Sequence, residues 1–176
     1  TELSNDGHPK LGGFLPPVHL ERRMWAGGTL TFHAPLHIGA RLTRHSEIKS
    51  ITEKEGANGP MLFVSLAHAI FEDDRLCVEE TQDIVYLNIP QVFVPPKPKP
   101  VPSTPDMIEA VAVTEPLLFR FSAITFNAHR IHYDLPYAKS VEKYPGLVVH
   151  GPLQAMLLLR AAIRHSGRDV RQFQFR

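Results

Sequence analysis

The sequence predicts an α+β protein in which an antiparallel sheet accompanies one long apolar helix. Three observations predict it. Residues 28–87 are patterned with period two, residues 152–165 carry apolar side chains at helical spacing, and a proline-rich stretch lies between the two regions.

Four strands are expected before the proline stretch. Gly28–His33 is the first. Ile38–Ile51 is a long polar second, in which Thr43, His45 and Lys49 alternate with Leu42 and Ile48. In the third, Met61–Phe71, the side chains of Leu62, Val64, Leu66 and Ile70 share one face with His68. The fourth, Arg75–Leu87, follows the turn Glu72-Asp73-Asp74, while residues 55–60 supply the turn before the third. Connections this short predict a meander.

Seven prolines (Pro90, Pro95, Pro96, Pro98, Pro100, Pro102, Pro105) then fall within sixteen positions. Proline has no amide to donate to a ladder, so residues 90–105 read as an extended linker between residues 1–89 and residues 106–176. Beyond it, Leu117–Ser122 reads as a short strand. Pro152–His165 reads as a helix: Leu153, Leu157 and Ala161 lie on one row, Pro152 suits the first turn and Gly167 follows the end. Its leucine-rich character calls for burial beneath a sheet, since water would otherwise face too much hydrocarbon.

Composition bounds the function. Lys and Arg total 19 against 18 Asp and Glu, which removes the electrostatic case for a nucleic-acid partner. No run of about 18 apolar residues predicts a membrane span, so no membrane partner is expected. Residues 1–6 lack the basic and apolar regions of a signal peptide, and Cys77 is the only cysteine, so a reducing cytoplasmic location is expected.

The chemistry concentrates in Phe126-Asn127-Ala128-His129-Arg130-Ile131-His132-Tyr133-Asp134 and in Leu147-Val148-Val149-His150-Gly151-Pro152, which opens the helix. Imidazole is the usual proton carrier at neutral pH, so two histidines in a loop before a helix form an acid/base candidate. Unpaired amides around Gly151 suit a developing oxyanion. His129 and His132 also have the spacing of a metal pair, but no third ligand is evident and no metal is expected. A structural histidine bonded to a backbone carbonyl is the plainer reading of His132. His8, His19, His33, His37, His45 and His68 are dispersed and receive structural readings only.

Phe121–Ala138 and Gly146–Pro152 resemble the MaoC-like hydratases and dehydratases of the hot-dog fold. That family's pattern runs Gly-Asp-x-Asn-Pro-apolar-His, followed by an apolar-Val-His-Gly segment at the start of a central helix. Its five-residue Asp-to-His spacing survives between Asn127 and His132, but the acid has become an amide. An amide cannot take a proton from water, so the base must be a histidine. The stretches Phe126–Asp134 and Gly146–Leu153 are similar to one branch, the mesaconyl-CoA or itaconyl-CoA hydratases and the two-hot-dog 3-hydroxyacyl-thioester dehydratases. Asp6-Gly7-His8-Pro9, Gly13–Pro17 and Arg22–Gly28 resemble that branch's N-terminal half.

The resemblance implies a double hot-dog, an antiparallel sheet wrapped around a central helix, with this chain matching the middle of longer members. It implies a hydro-lyase acting on an unsaturated acyl-CoA, with the CoA thioester as substrate and no cofactor. His132 would move a proton to or from water, Asn127 would orient that water, and His129 would be a second imidazole or an orienting partner. Gly151 would bind the thioester oxygen. Tyr133, Asp134 and His150 would support these groups. Arg160 and Arg164, from a C-terminal cluster of five arginines opposed only by Asp169, would contact the CoA phosphates. A homo-oligomer is expected. A hot-dog thioesterase and a non-catalytic acyl-thioester-binding or dimerisation module are the alternative functions.

Overall fold

The structure, a computed structural model, describes residues 2–56, 59–95, 97–98, 100–101 and 103–176. Its elements run β1 (Arg22–Phe32), β2 (Leu42–Gly56), β3 (Gly59–Glu72), β4 (Arg75–Leu87), α1 (Glu115–Thr125), a 3-10 turn (Arg130–His132), α2 (Leu135–Ser140), α3 (Gly151–Ser166) and β5 (Gln172–Phe175). They fall into two compact units. One consists of Gly12–Asn88 with Arg168–Arg176, the other of the N-terminal segment through Leu11 with Ile89–Gly167. The units are therefore not the simple halves 1–89 and 106–176, because each takes one terminal segment from the far side of the linker.

The first unit is a five-stranded antiparallel sheet ordered β2-β3-β4-β1-β5. The expected meander holds for β2, β3 and β4. The first strand departs from it, crossing to pair with β4, where Gly28 opposes Gln82, and its other edge takes β5. On β3, Val64, Leu66 and His68 are buried on alternate positions, as the period-two pattern requires, whereas the central β4 buries Cys77, Val78, Ile84, Val85 and Tyr86 on both faces. The polar β2, mostly exposed, occupies an edge. It starts at Leu42 rather than Ile38, and the turn residues Ala57 and Asn58 lie outside the described residues.

The second unit is helical, and among its described residues there is no strand. Residues 117–122, read above as a strand, lie inside α1. The Thr114 hydroxyl accepts from the Leu117 amide, Pro116 sits in the first turn, and Leu118, Phe121 and Ser122 are buried at helical spacing. Two ends of one short apolar run therefore satisfied both periods, and the cap decided between them. Among the described residues of 90–105 there is neither helix nor strand; Pro96, Lys99 and Pro102 lie outside them.

Helix α3 forms where expected. Its Gly167 cap is left-handed at φ 61° and donates its amide to the Ile163 carbonyl. Leu153 packs with Leu118 and Phe121 of α1, supported by Leu147, Val149 and Leu157, and Ala155 is buried too, while Met156 and Leu158 remain 60% and 65% exposed. Full enclosure of α3 was expected, but Met156 and Leu158 stay exposed. No helix among the described residues is long and apolar enough to cross a membrane.

Candidate active site

The loop between α1 and α2 and the start of α3 bring three imidazoles into contact. Phe126 ends α1 in the left-handed conformation (φ 53°), and the Asn127 side chain accepts from the His129 amide at 3.2 Å, which tightens the chain into the 3-10 turn. Asp134 then caps α2: its carboxylate accepts from the Tyr137 amide at 3.0 Å and pairs with both Arg130 Nε (3.0 Å) and Nη2 (2.8 Å). Tyr133 donates its hydroxyl to the Ala128 carbonyl at 2.8 Å. Asp134 and Tyr133 thus shape the loop.

His132 is 6% exposed. Its Nδ1 donates to the Val148 carbonyl at 2.7 Å, which leaves Nε2 as the acceptor, with no hydrogen-bond partner among the described residues. The ring stacks on His150, 3.7 Å between centroids and 19° from parallel, and meets His129 edge-on at 5.5 Å. Burial pushes the His132 imidazole down to about 3, outweighing the Val148 bond, so the ring is neutral near pH 7. His150 is fully buried, shares a 2.8 Å hydrogen bond with Ser122 through Nε2, and is pushed down to about 4 by burial and by His129. Its Nδ1 is buried without a hydrogen bond among the described residues.

These shifts give a pH dependence of definite sign. Both rings are neutral when folded and titrate near the ordinary 6.5 when unfolded, so the unfolded chain gains protons first as pH falls. Their contribution to stability is complete above about pH 6.5 and is lost as pH drops towards 4 and then 3. Thermal melts across this window are expected to show a steep acid-side decline that flattens when His132 and His150 are both replaced by Gln.

His129, 4% exposed, is held through Nε2 by the buried Glu142 carboxylate at 2.8 Å. Its ring also lies 4.1 Å from that of His8. The turn Asn5-Asp6-Gly7-His8 docks on this loop: the Asp6 carbonyl accepts from the Arg130 amide at 2.9 Å, and the Asn5 carbonyl accepts from Arg130 Nη1 at 3.0 Å. Asp6 binds His8 Nδ1 at 2.7 Å. Burial raises the Asp6 carboxyl, but hydrogen bonds from His8 and Ser4 outweigh it and hold the group well below the usual carboxylate range.

His8, given only a structural reading from sequence, is therefore part of the cluster, and Glu142 joins it with no sequence signal beyond its isolated charge. Asp6 had a signal in the Asp6–Pro9 motif. Asp6, His8 and His129 place three potential metal-ligand atoms within 4.8 Å of one another, a set different from the His129–His132 pair. Asp6 is hydrogen-bonded to His8, and His129 to Glu142.

Gly151 is the first residue of α3 and is exposed, and Gln154 makes the first amide bond back to the His150 carbonyl. The Gly151 amide thus has no partner within the helix. Beside the loop, a mainly apolar cavity of about 630 Å³ is bordered by Phe119, Ala123, Phe126, Asn127, Ala128 and Tyr133. On α3, Arg164 pairs with Glu109, whereas Arg160 is exposed and has no carboxylate partner among the described residues.

The loop and the start of α3 thus hold a buried row of imidazoles, with an apolar cavity bordered by the same loop. Residues 1–176 match the family described as Htd2, hydroxyacyl-thioester dehydratase type 2. The chain belongs to this family. Within it, the chain is 52% identical over 178 residues to the mesaconyl-C(4)-CoA hydratase of Chloroflexus aurantiacus, covering 100% of this chain and 63% of that protein. The chain thus spans less than two thirds of that relative's length. Among solved structures, a MaoC-like dehydratase superposes with a TM-score of 0.67 at 14% identity, over 91% of this chain and 61% of that one. A Mycobacterium tuberculosis protein with a double hotdog fold gives 0.51 at 14% identity, over 84% and 54%. This Htd2 family member therefore has the expected α+β hot-dog fold.

Proposed function

We propose that the protein is a hydro-lyase that reversibly adds water across the double bond of an α,β-unsaturated acyl-CoA, with a short dicarboxylic acyl group such as mesaconyl or itaconyl preferred. The observation that carries this reading is His132, a buried, neutral imidazole whose Nδ1 is tied to a carbonyl and whose Nε2 lone pair is free to accept from water. The similarity to a protein named as a mesaconyl-C(4)-CoA hydratase supports the substrate class.

Water held at His132 attacks the β-carbon as its proton passes to an imidazole. The π electrons move towards the thioester, and the enolate that forms takes a proton at the α-carbon. His129 is the second imidazole of this exchange. Asn127 keeps its amide nitrogen for the water while its oxygen fixes the His129 backbone. The Gly151 amide donates to the thioester oxygen as charge develops, a contribution of about 3 kcal/mol for one such donor. Arg160 contacts the CoA phosphates, a role for which Arg164 must first leave Glu109. The reaction as written uses no cofactor, and the working form is a homo-oligomer.

The test is turnover of mesaconyl-CoA, itaconyl-CoA and crotonyl-CoA by the purified protein, followed by loss of the conjugated thioester's ultraviolet absorbance with thiol release measured in parallel. Loss of absorbance without thiol release is expected. Thiol release would replace this reading with a thioesterase, and binding without either change would leave a binding module.

A further inference from the structure

The amide at Asn127 removes the carboxylate that would act on water directly, yet the site retains a buried carboxylate fifteen residues further on. Glu142 is 2% exposed and lies 2.8 Å from His129 Nε2, itself in a 4% exposed residue. We propose that Glu142 is a positioning residue of the hydration site: it holds the proton of His129 on Nε2 and so presents Nδ1 as a second lone pair to the attacking water. The inference rests on the hydration reading and deepens it.

The physical argument is one of tautomers. An ionised carboxylate only accepts, so the ring nitrogen facing it must carry the proton and the opposite nitrogen must be bare. The Val148 carbonyl does the same for His132 from the other side, fixing its proton on Nδ1. The two rings stand edge to face with centroids 5.5 Å apart, and in this assignment one water lies between their bare nitrogens. Water that donates one proton to each ring keeps its oxygen lone pairs for the β-carbon. When that oxygen bonds to carbon, one proton passes to an imidazole of this pair, and the thioester enolate then recovers a proton at the α-carbon from the imidazolium. The imidazole is regenerated and the sum is addition of one water.

Other charged or titratable groups also face His129. Asp6 and His8 lie in the N-terminal turn, His132 in the 3-10 turn and His150 at the start of α3. A readout specific to the His129 ring is therefore required. The test is nitrogen-15 NMR of the histidine rings in the wild type and in Glu142→Gln and Glu142→Asp, together with kcat and KM for the hydrated substrate. In Glu142→Gln the new amide donates to Nε2 and drives the proton to Nδ1, so the His129 tautomer is expected to invert. With Nδ1 blocked, kcat is expected to fall about 10²-fold or more while KM stays within about twofold, and Glu142→Asp is expected to restore the native tautomer and most of the rate. The proposal is overturned if the wild-type ring carries its proton on Nδ1, or if Glu142→Gln leaves tautomer and kcat unchanged. Should the glutamine variant not fold, the wild-type tautomer and the aspartate variant decide the matter. If no enoyl thioester is hydrated by the wild type, the hydration reading and this assignment both fall; inverted tautomers with undiminished hydration remove this assignment alone.

Discussion

Replacing Gly7 by Ala is expected to detach the N-terminal turn from the Phe126–Asp134 loop. Gly7 has φ +89°, and a Cβ there would lie 1.7 Å from the Ala128 carbonyl oxygen and 2.6 Å from its carbon. Both neighbours are backbone, so neither can rotate aside. The strain of a left-handed alanine costs about 1–3 kcal/mol. The clash adds to it, and the turn can relieve both only by moving away. That removes the Asp6 carbonyl from the Arg130 amide and the His8 ring from His129. The expected result is a melting temperature lowered by several degrees, an N-terminal segment newly open to proteolysis, and hydration reduced much further than stability. Unchanged protease resistance would show that the turn contributes nothing to the loop.

The second large effect is expected from His132→Ala. The side chain contributes an acceptor at Nε2, a bond to Val148 and a stacking face for His150. Loss of a proton-transfer group costs about 10²–10⁴ in turnover, whereas the fold keeps the Leu118–Phe121–Leu153 cluster that joins α1 to α3. A kcat reduced by that factor, with helical content unchanged by circular dichroism, is the expected pattern. Near-wild-type turnover would transfer the role of His132 to His129.

Much of the fold was legible because single elements carry their own signals. Arg75–Leu87 was delimited by the Asp73-Asp74 turn ahead and proline behind, and the structure returns the same bounds. α3 announced itself by Pro152, its apolar row and Gly167. Leu117–Ser122 did not, since so short a run, apolar apart from Arg120 and Ser122, fits either period; Thr114 and Pro116 were the discriminating marks. Pairing of β1 with β4 and β5 is a long-range choice. At the site, the imidazoles at 129 and 132 were visible as a local cluster and as part of a family pattern. Glu142 was not, because nothing local distinguishes a carboxylate folded against an imidazole from one facing water. His8 lies more than a hundred positions from His129, and only the folded chain brings their rings together.

The exchange of terminal segments between the two units has a consequence for anyone dividing this protein. The proline-rich stretch is the obvious place to cut, yet a cut there splits both units. The N-terminal fragment would keep β1 to β4 but lose β5 from the open edge of β1, leaving four backbone-pairing positions bare. The C-terminal fragment would keep His129, His132 and Glu142 but lose Asp6 and His8. Each piece would carry an unmet requirement that only the other can supply. Expressed separately, the two are therefore suited to complementation rather than to independent life.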